Sequence, residues 1–117
     1  MNKFFAGLFL VFVSLFSFGQ SAPIVKNDTL SICLGRIDTI DVLSNDSDAD
    51  GDSIFVKQVI LQPQHGTVVQ LGNEFAYTPN VGYIGIDKVY YQVCDNSVFN
   101  QCVYAFLVLN IDTCIPV

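Results

Sequence analysis

Two stretches near the end of the chain place apolar residues at every second position. They constrain the fold more than anything else in the 117 residues. From Lys88 to Cys94, Val89, Tyr91 and Val93 fall on one face and Tyr90 and Gln92 on the other. From Cys102 to Ile111, Val103, Ala105, Leu107, Leu109 and Ile111 share a face. A period of two is the pattern of a strand with one buried side. No stretch beyond the first 19 residues carries the helical period. Turn residues recur instead at roughly 8–15-residue intervals, the spacing of an all-β sandwich.

Five more strands are expected ahead of this pair. They are Ile24–Ile32, Ile37–Leu43, Ile54–Leu61, Thr67–Leu71 and Glu74–Thr78. The last two form a hairpin about Gly72-Asn73, with Phe75 and Tyr77 on one face. Pro63 to Gly66 reads as a turn, and Pro79 to Ile86 as a loop holding Gly82 and Gly85.

The alternation also places cysteines. Cys94 and Cys102 fall on the outward faces of their strands, on either side of the hairpin loop from Asp95 to Gln101. Cysteines on one face at the mouth of a hairpin come within bonding distance. Cys33 ends the first strand and Cys114 follows the last. In a sandwich whose first strand runs parallel to its last, those ends are neighbours. Two disulfides, Cys94–Cys102 and Cys33–Cys114, are therefore expected, as suits an oxidising compartment. Zinc is the weaker alternative, because no C-x₂-C pair occurs and no histidine lies near the cysteines.

The start of the chain agrees with that compartment. Lys3 precedes a run from Phe4 to Phe18 broken only by Gly7, Ser14 and Ser17. Ser17-Phe18-Gly19 offers small residues to a signal peptidase. A signal peptide over residues 1–19 is expected, with cleavage before Gln20. The run is shorter than the ~20 residues of a membrane span, and no cysteine near the cut could carry a lipid. No membrane insertion is expected after cleavage. What remains suffices for one small domain. The whole chain carries a formal net charge of −6, and loss of Lys3 leaves the exported chain more negative by a further unit. Such a module is a poor nucleic-acid binder and has no basic face for anionic membranes.

Acidic residues concentrate in one loop: Asp46, Asp48, Asp50 and Asp52 alternate with small residues and with Gly51. Four carboxylates so close repel one another unless a cation sits among them. Hard oxygen ligands in a tight loop suit Ca²⁺. The first six positions read D-x-D-x-D-G, as in an EF-hand loop, but the twelfth is Lys57 and the flanks are strands. The reading is therefore a calcium loop between two strands. The plainer alternative is a solvated turn, since Asp favours turns.

With these residues in view, a family resemblance emerges. The chain reads Pro23, Val25, Asn27, Asp28, then Ile40-Asp41-Val42-Leu43-Ser44-Asn45-Asp46 through Asp52. His65-Gly66-Thr67-Val68, Tyr77-Thr78-Pro79-Asn80, Gly82-Tyr83, Gly85, Asp87, Tyr91 and Val93-Cys94-Asp95 follow. This order resembles the bacterial cadherin-like, Ig-like repeats of large secreted adhesins and surface proteins, over nearly the whole exported chain. The resemblance implies a seven-stranded Greek-key sandwich, often calcium-stabilised, with structural and adhesive roles and no catalysis. Such repeats usually come in rows. Residues 20–113 fit one of them, and the tail 114–117 looks like the opening of another.

In such a sandwich the acidic loop, the Asp95 loop and the start of the first strand share a pole. The candidate metal ligands are thus Asp46, Asp48, Asp50, Asp52, Asp95, Asn27 and Asp28. Asp95 could equally be a turn former. Expected partners are a surface protein or polysaccharide, and adjacent repeats if the chain belongs to a longer one. A second function, carbohydrate-binding accessory domain of a surface enzyme, would draw on Tyr83, Tyr90, Tyr91 and Tyr104, although strand tyrosines more often pack. Exposed coplanar aromatics on one sheet would favour it. His65, the one histidine, has no nucleophile beside it and reads as a turn residue. Asp38, Asp41 and Asp87 are isolated and expected in solvent. Asn27-Asp28-Thr29 and Asn45-Asp46-Ser47 match the N-glycosylation triplet, which occurs often by chance.

Overall fold

The computed structural model describes residues 21–114. The expected signal peptide and cleavage site, and residues 115–117 of the tail, lie outside them. The described chain is all β: β1 (Pro23–Ile24), β2 (Asp28–Cys33), β3 (Asp38–Asp41), β4 (Ser47–Asp48), β5 (Ile54–Leu61), β6 (Gly66–Leu71), β7 (Glu74–Pro79), β8 (Gly85–Asp95) and β9 (Cys102–Asp112). A four-stranded sheet runs β2-β9-β8-β5 and a three-stranded sheet runs β3-β7-β6. β2 pairs with β9 in parallel, and every other pairing is antiparallel.

The two sheets stack as a sandwich, with the core supplied by the inward faces of both. Val89, Tyr91, Val93, Leu107 and Leu109 from one sheet, and Phe75 and Tyr77 from the other, are wholly buried. Phe75 meets Tyr91 edge to face at 5.2 Å between centroids, a favoured aromatic geometry across the interface. This is the face assignment that the alternation in β7, β8 and β9 dictates. Tyr91 is thereby a core residue and cannot line an outer sugar-binding surface.

Seven strands were expected, and the described residues form nine, two of them only two residues long. The expected first strand divides because its two halves pair differently. Pro23 and Ile24 pair with Asp48 and Ser47, whereas Asp28 to Cys33 pair with Leu107 to Asp112. The chain crosses between them at residues 25–27, where Lys26 N–H donates to Asp46 Oδ1 at 2.9 Å. β3 stops at Asp41, two residues early, because Asp41 Oδ1 accepts the Leu43 N–H and turns the backbone. β8 begins at Gly85, inside the expected loop. β5 is an edge strand, and two register shifts against β8 bend it, which discourages pairing with another chain.

Both expected disulfides are present, Cys33–Cys114 and Cys94–Cys102. Cys94 and Cys102 are direct cross-strand partners. Cys33 pairs with Asp112 in the parallel ladder, two residues short of Cys114.

One expectation is overturned outright. Asp87 is buried, 4% exposed, not solvated. Tyr77 O–H donates to its Oδ2 at 2.7 Å, and the N–H groups of Gln64 and His65 donate to Oδ1 and Oδ2 at 3.1 and 3.0 Å. The 63–66 turn thus closes over a carboxylate. Gly66 is required there, since a Cβ would stand 2.5 Å from the Tyr77 ring. His65 lies flat on Tyr83, at 3.9 Å between centroids and 1° between planes, so both rings pack.

Candidate metal centre

The far end of β8 carries the acidic pole. Three connections assemble it. The β1–β4 bridge holds Asp48 against the N-terminal segment. Ser53 and Asn96 tie the acidic loop to the β8–β9 loop: Ser53 N–H donates to Asn96 Oδ1 at 3.1 Å and Asn96 N–H to the Ser53 carbonyl at 3.0 Å. Ser21 N–H donates to Asp50 Oδ2 at 2.7 Å.

Within this frame Asp48, Asp52 and Asp95 each bring a carboxylate oxygen within 4.8 Å of the other two. The loop's own turns make this possible. Asp50 N–H donates to Asp48 Oδ1 at 2.9 Å, and Gly51 N–H to the Asp48 carbonyl at 3.1 Å. Gly51 takes φ +78°, which a side chain would resist. The chain reverses there and returns Asp52 towards Asp48.

Asp95 is fully buried at the end of β8. Its Oδ1 accepts from Ser97 Oγ at 2.6 Å, Ser97 N–H at 3.2 Å and Gln101 N–H at 3.1 Å. The bond from Ser97 leads in holding this carboxyl below its usual range, so Asp95 stays ionised. Its Oδ2 has no partner; nor do the buried Asp46 Oδ2 and Asp48 Oδ2. Buried acceptors are nearly always hydrogen-bonded, so three orphaned carboxylate oxygens at one pole are a demand that the described protein atoms leave unmet. The fit to Ca²⁺ rests on these oxygens and on the all-oxygen donor set.

Electrostatics divide the pole in two. Burial, then the charges of Asp48, Asp95 and Asp50, push the Asp52 carboxyl up. Burial, then Asp41, pushes Asp46 up. Burial, then Asp46, pushes Asp28 up against the opposing bond from Tyr91. One group is therefore Asp48, Asp50, Asp52 and Asp95, and the other Asp28, Asp41 and Asp46.

Of the seven ligands read from sequence, the structure gathers Asp48, Asp52 and Asp95 most tightly. Asp46 shares the pole and keeps an orphaned oxygen. Asp50 is turned towards Ser21. Asp28 accepts from Tyr91 O–H at 3.1 Å, and Asn27 Oδ1 accepts the Phe106 N–H at 3.0 Å, where β2 begins alongside β9. Sequence reasoning did not reach Ser97 and Gln101, which orient Asp95. The Asp95-x-Ser97 turn pattern was the one available signal.

Comparison with known proteins bears on the fold. No curated protein matches the chain. In solved structures the fold resembles a segment of an endo-fucoidan hydrolase of glycoside hydrolase family 107, with TM-score 0.59 and 18% identity. The match covers 83% of this chain and 14% of that one, so the chain spans a small fraction of the hydrolase's length. A nucleoside hydrolase-related hypothetical protein from Saccharophagus degradans, associated with carbohydrate metabolism, aligns at TM-score 0.47 and 20% identity over 75% of this chain and 22% of that one. The model of the bacterial Ig domain matches residues 20–101, from the N-terminal segment through the loop that seats Asp95. The chain belongs to the bacterial Ig domain family.

Proposed function

We propose that the protein is a secreted or cell-surface structural module of the adhesive kind, non-catalytic, and stiffened by Ca²⁺ at the acidic pole. Family membership supports the non-catalytic surface role. The two disulfides fit an extracellular location. The observation that carries the calcium reading is the set of buried, unpartnered oxygens on Asp46, Asp48 and Asp95. Asp48, Asp52 and Asp95 would hold the ion. Bound there, Ca²⁺ supplies charge neutralisation and a rigid joint. The chain's own role is to present ligands from two separate segments, the acidic loop and the end of β8. Holding both at once fixes the pole through which a neighbouring module or surface would transmit force.

The test is isothermal titration of the chelator-stripped protein with CaCl₂. Binding in the range of about 10⁻⁴–10⁻³ M is expected, as for other extracellular calcium modules. Asp48→Asn should weaken it at least tenfold, and Asp38→Asn should leave it unchanged. Absence of binding at millimolar CaCl₂ would reduce the loop to a solvated turn.

A further inference from the structure

The solvent face of the four-stranded sheet differs from the rest of this acidic surface. β8 and β9 present Ile86, Lys88, Tyr90, Tyr104 and Phe106 outward, as their register requires. Ile86 is 57%, Tyr104 51% and Phe106 39% exposed. Tyr90 packs between the two exposed rings. Its centroid lies 4.7 Å from that of Phe106 and 5.5 Å from that of Tyr104, and the two tyrosine planes are parallel to within 7°. Beside them runs an open groove of about 280 Å³, lined by Leu61, Ile86, Lys88, Tyr90 and Phe106 and also by Asp87, whose two oxygens already accept from Tyr77 and from backbone N–H groups. Contiguous exposed apolar area on a small domain marks a binding surface more often than a solvated one.

The chemistry of the face narrows the occupant. Except for Asp112 at the end of β9, no outward position on these two strands is acidic, in a chain with 11 acidic residues. Nor is the face basic: Lys88 is the one cation on the outward positions of β8 and β9, and its Nζ sits 5.9 Å from the Phe106 centroid. A polyanion would find neither a cationic track nor a favourable overall charge. A second copy of the exported chain would bring the same acidic net charge and be repelled. Neutral amides flank the rings. Gln58 Nε2 donates to Gln92 Oε1 at 2.9 Å, which fixes both side chains and leaves the Gln58 carbonyl and the Gln92 NH₂ for a ligand. Flat aromatic rings beside fixed amides suit a ligand with flat C–H faces and hydroxyl edges.

We propose that this face binds a neutral polysaccharide, with Tyr104, Tyr90 and Phe106 stacking on the sugar rings and Gln58 and Gln92 bonding their hydroxyls. The site lies on a different surface from the acidic pole and does not depend on the cation. The test is affinity electrophoresis of the full exported chain in gels containing soluble β-glucan, xylan, galactomannan or, separately, a sulfated fucan. Retardation is expected in at least one neutral gel, unchanged by chelator. Tyr104→Ala and Phe106→Ala should each weaken it at least tenfold, Tyr104→Ala with melting unchanged, as its exposure allows. Tyr104→Leu keeps apolar bulk but removes the ring, and should weaken binding nearly as much. The proposal is overturned by equal migration in every gel, by retardation in the sulfated gel alone, or by retardation that survives these substitutions. Sedimentation showing a dimer that Tyr104→Ala dissociates would assign the face to a second copy and overturn it as well.

Discussion

Asp87 and Asp95 are the two buried acidic residues among those described, and they stand near opposite ends of one strand, β8. Their surroundings differ in how donors are shared between the two oxygens, and in that Asp95 also stands beside the carboxylates of Asp48 and Asp52. Both oxygens of Asp87 accept hydrogen bonds, from Tyr77, Gln64 and His65. Asp95 engages one oxygen with Ser97 and Gln101 and leaves the other bare. A buried carboxylate with both oxygens bonded is a strut that closes a turn against the core. One that is half bonded has an unmet demand that a cation can satisfy. Burial alone does not separate structure from site; the distribution of donors over the two oxygens does. Each end also carries a disulfide, and these differ in the length of chain they close.

The largest contrast concerns those bonds. Cys33–Cys114 spans 81 residues and Cys94–Cys102 spans 8. Loop-closure entropy assigns the first about 4–5 kcal/mol of stability and the second about 2–3 kcal/mol. Urea melts of the paired Cys→Ser variants read both values. Equal losses would mean that the short bridge acts through the Asp95 loop and not through the unfolded chain.

Next comes the strut. Asp87→Ala leaves the Tyr77 hydroxyl only its longer 3.4 Å bond to the His65 carbonyl, and removes the acceptor of the Gln64, His65 and Lys88 N–H groups at once. A loss of about 3 kcal/mol is expected, the same with calcium as with chelator. A loss that appears only in calcium would join the two ends energetically and undo the contrast.

The bare oxygen makes the opposite prediction. Millimolar Ca²⁺ should stabilise the protein by on the order of 1–2 kcal/mol, read as a rise of several degrees in Tm over chelator. Asp95→Asn keeps the shape of the side chain and should erase that rise. If the variant melts with the full calcium shift, Asp95 is a turn former and the ion sits elsewhere.

How much of this was legible follows from where each signal lies. The period of two in β8 and β9 is local, and it orders the core, the hairpin and the Cys94–Cys102 bond without reference to any other segment. The acidic loop is local too, so its pole was legible. The Asp87 strut was not. Asp87 looks isolated in sequence because its donors come from Tyr77 and from the backbone of a turn 22 and 23 residues away. The break in the first strand was hidden for the same reason, since it depends on Asp46 reaching the Lys26 N–H. Spacing along a loop gathers carboxylates but does not fix which oxygen each turn consumes. That is why Asp50 faces Ser21 while Asp48 keeps an oxygen free.

The smallest effect is the pH dependence of the metal-free protein. Burial and like charges hold Asp28, Asp46 and Asp52 above the ordinary carboxylate value of 3.8, and the Ser97 bond holds Asp95 below it. A group raised in the folded state binds its proton more tightly there than in the unfolded chain. Stability then increases as pH falls through the raised value. Asp95 has the opposite sign: its contribution is present above 3.8 and is lost as pH falls through its lowered folded value. In chelator, Tm should therefore rise as pH is lowered from 7 towards 4, and turn down below 3.8 as Asp95 protonates. Calcium opposes the first limb, because the ion and the proton compete for the oxygens of Asp52. The two melting curves should separate at pH 7 and converge near pH 4. Asp46→Asn should flatten the metal-free rise, as it removes one raised carboxyl and the charge that raises Asp28. A metal-free Tm that only falls between pH 7 and 4 would show that the acidic pole carries no repulsion for a cation to relieve.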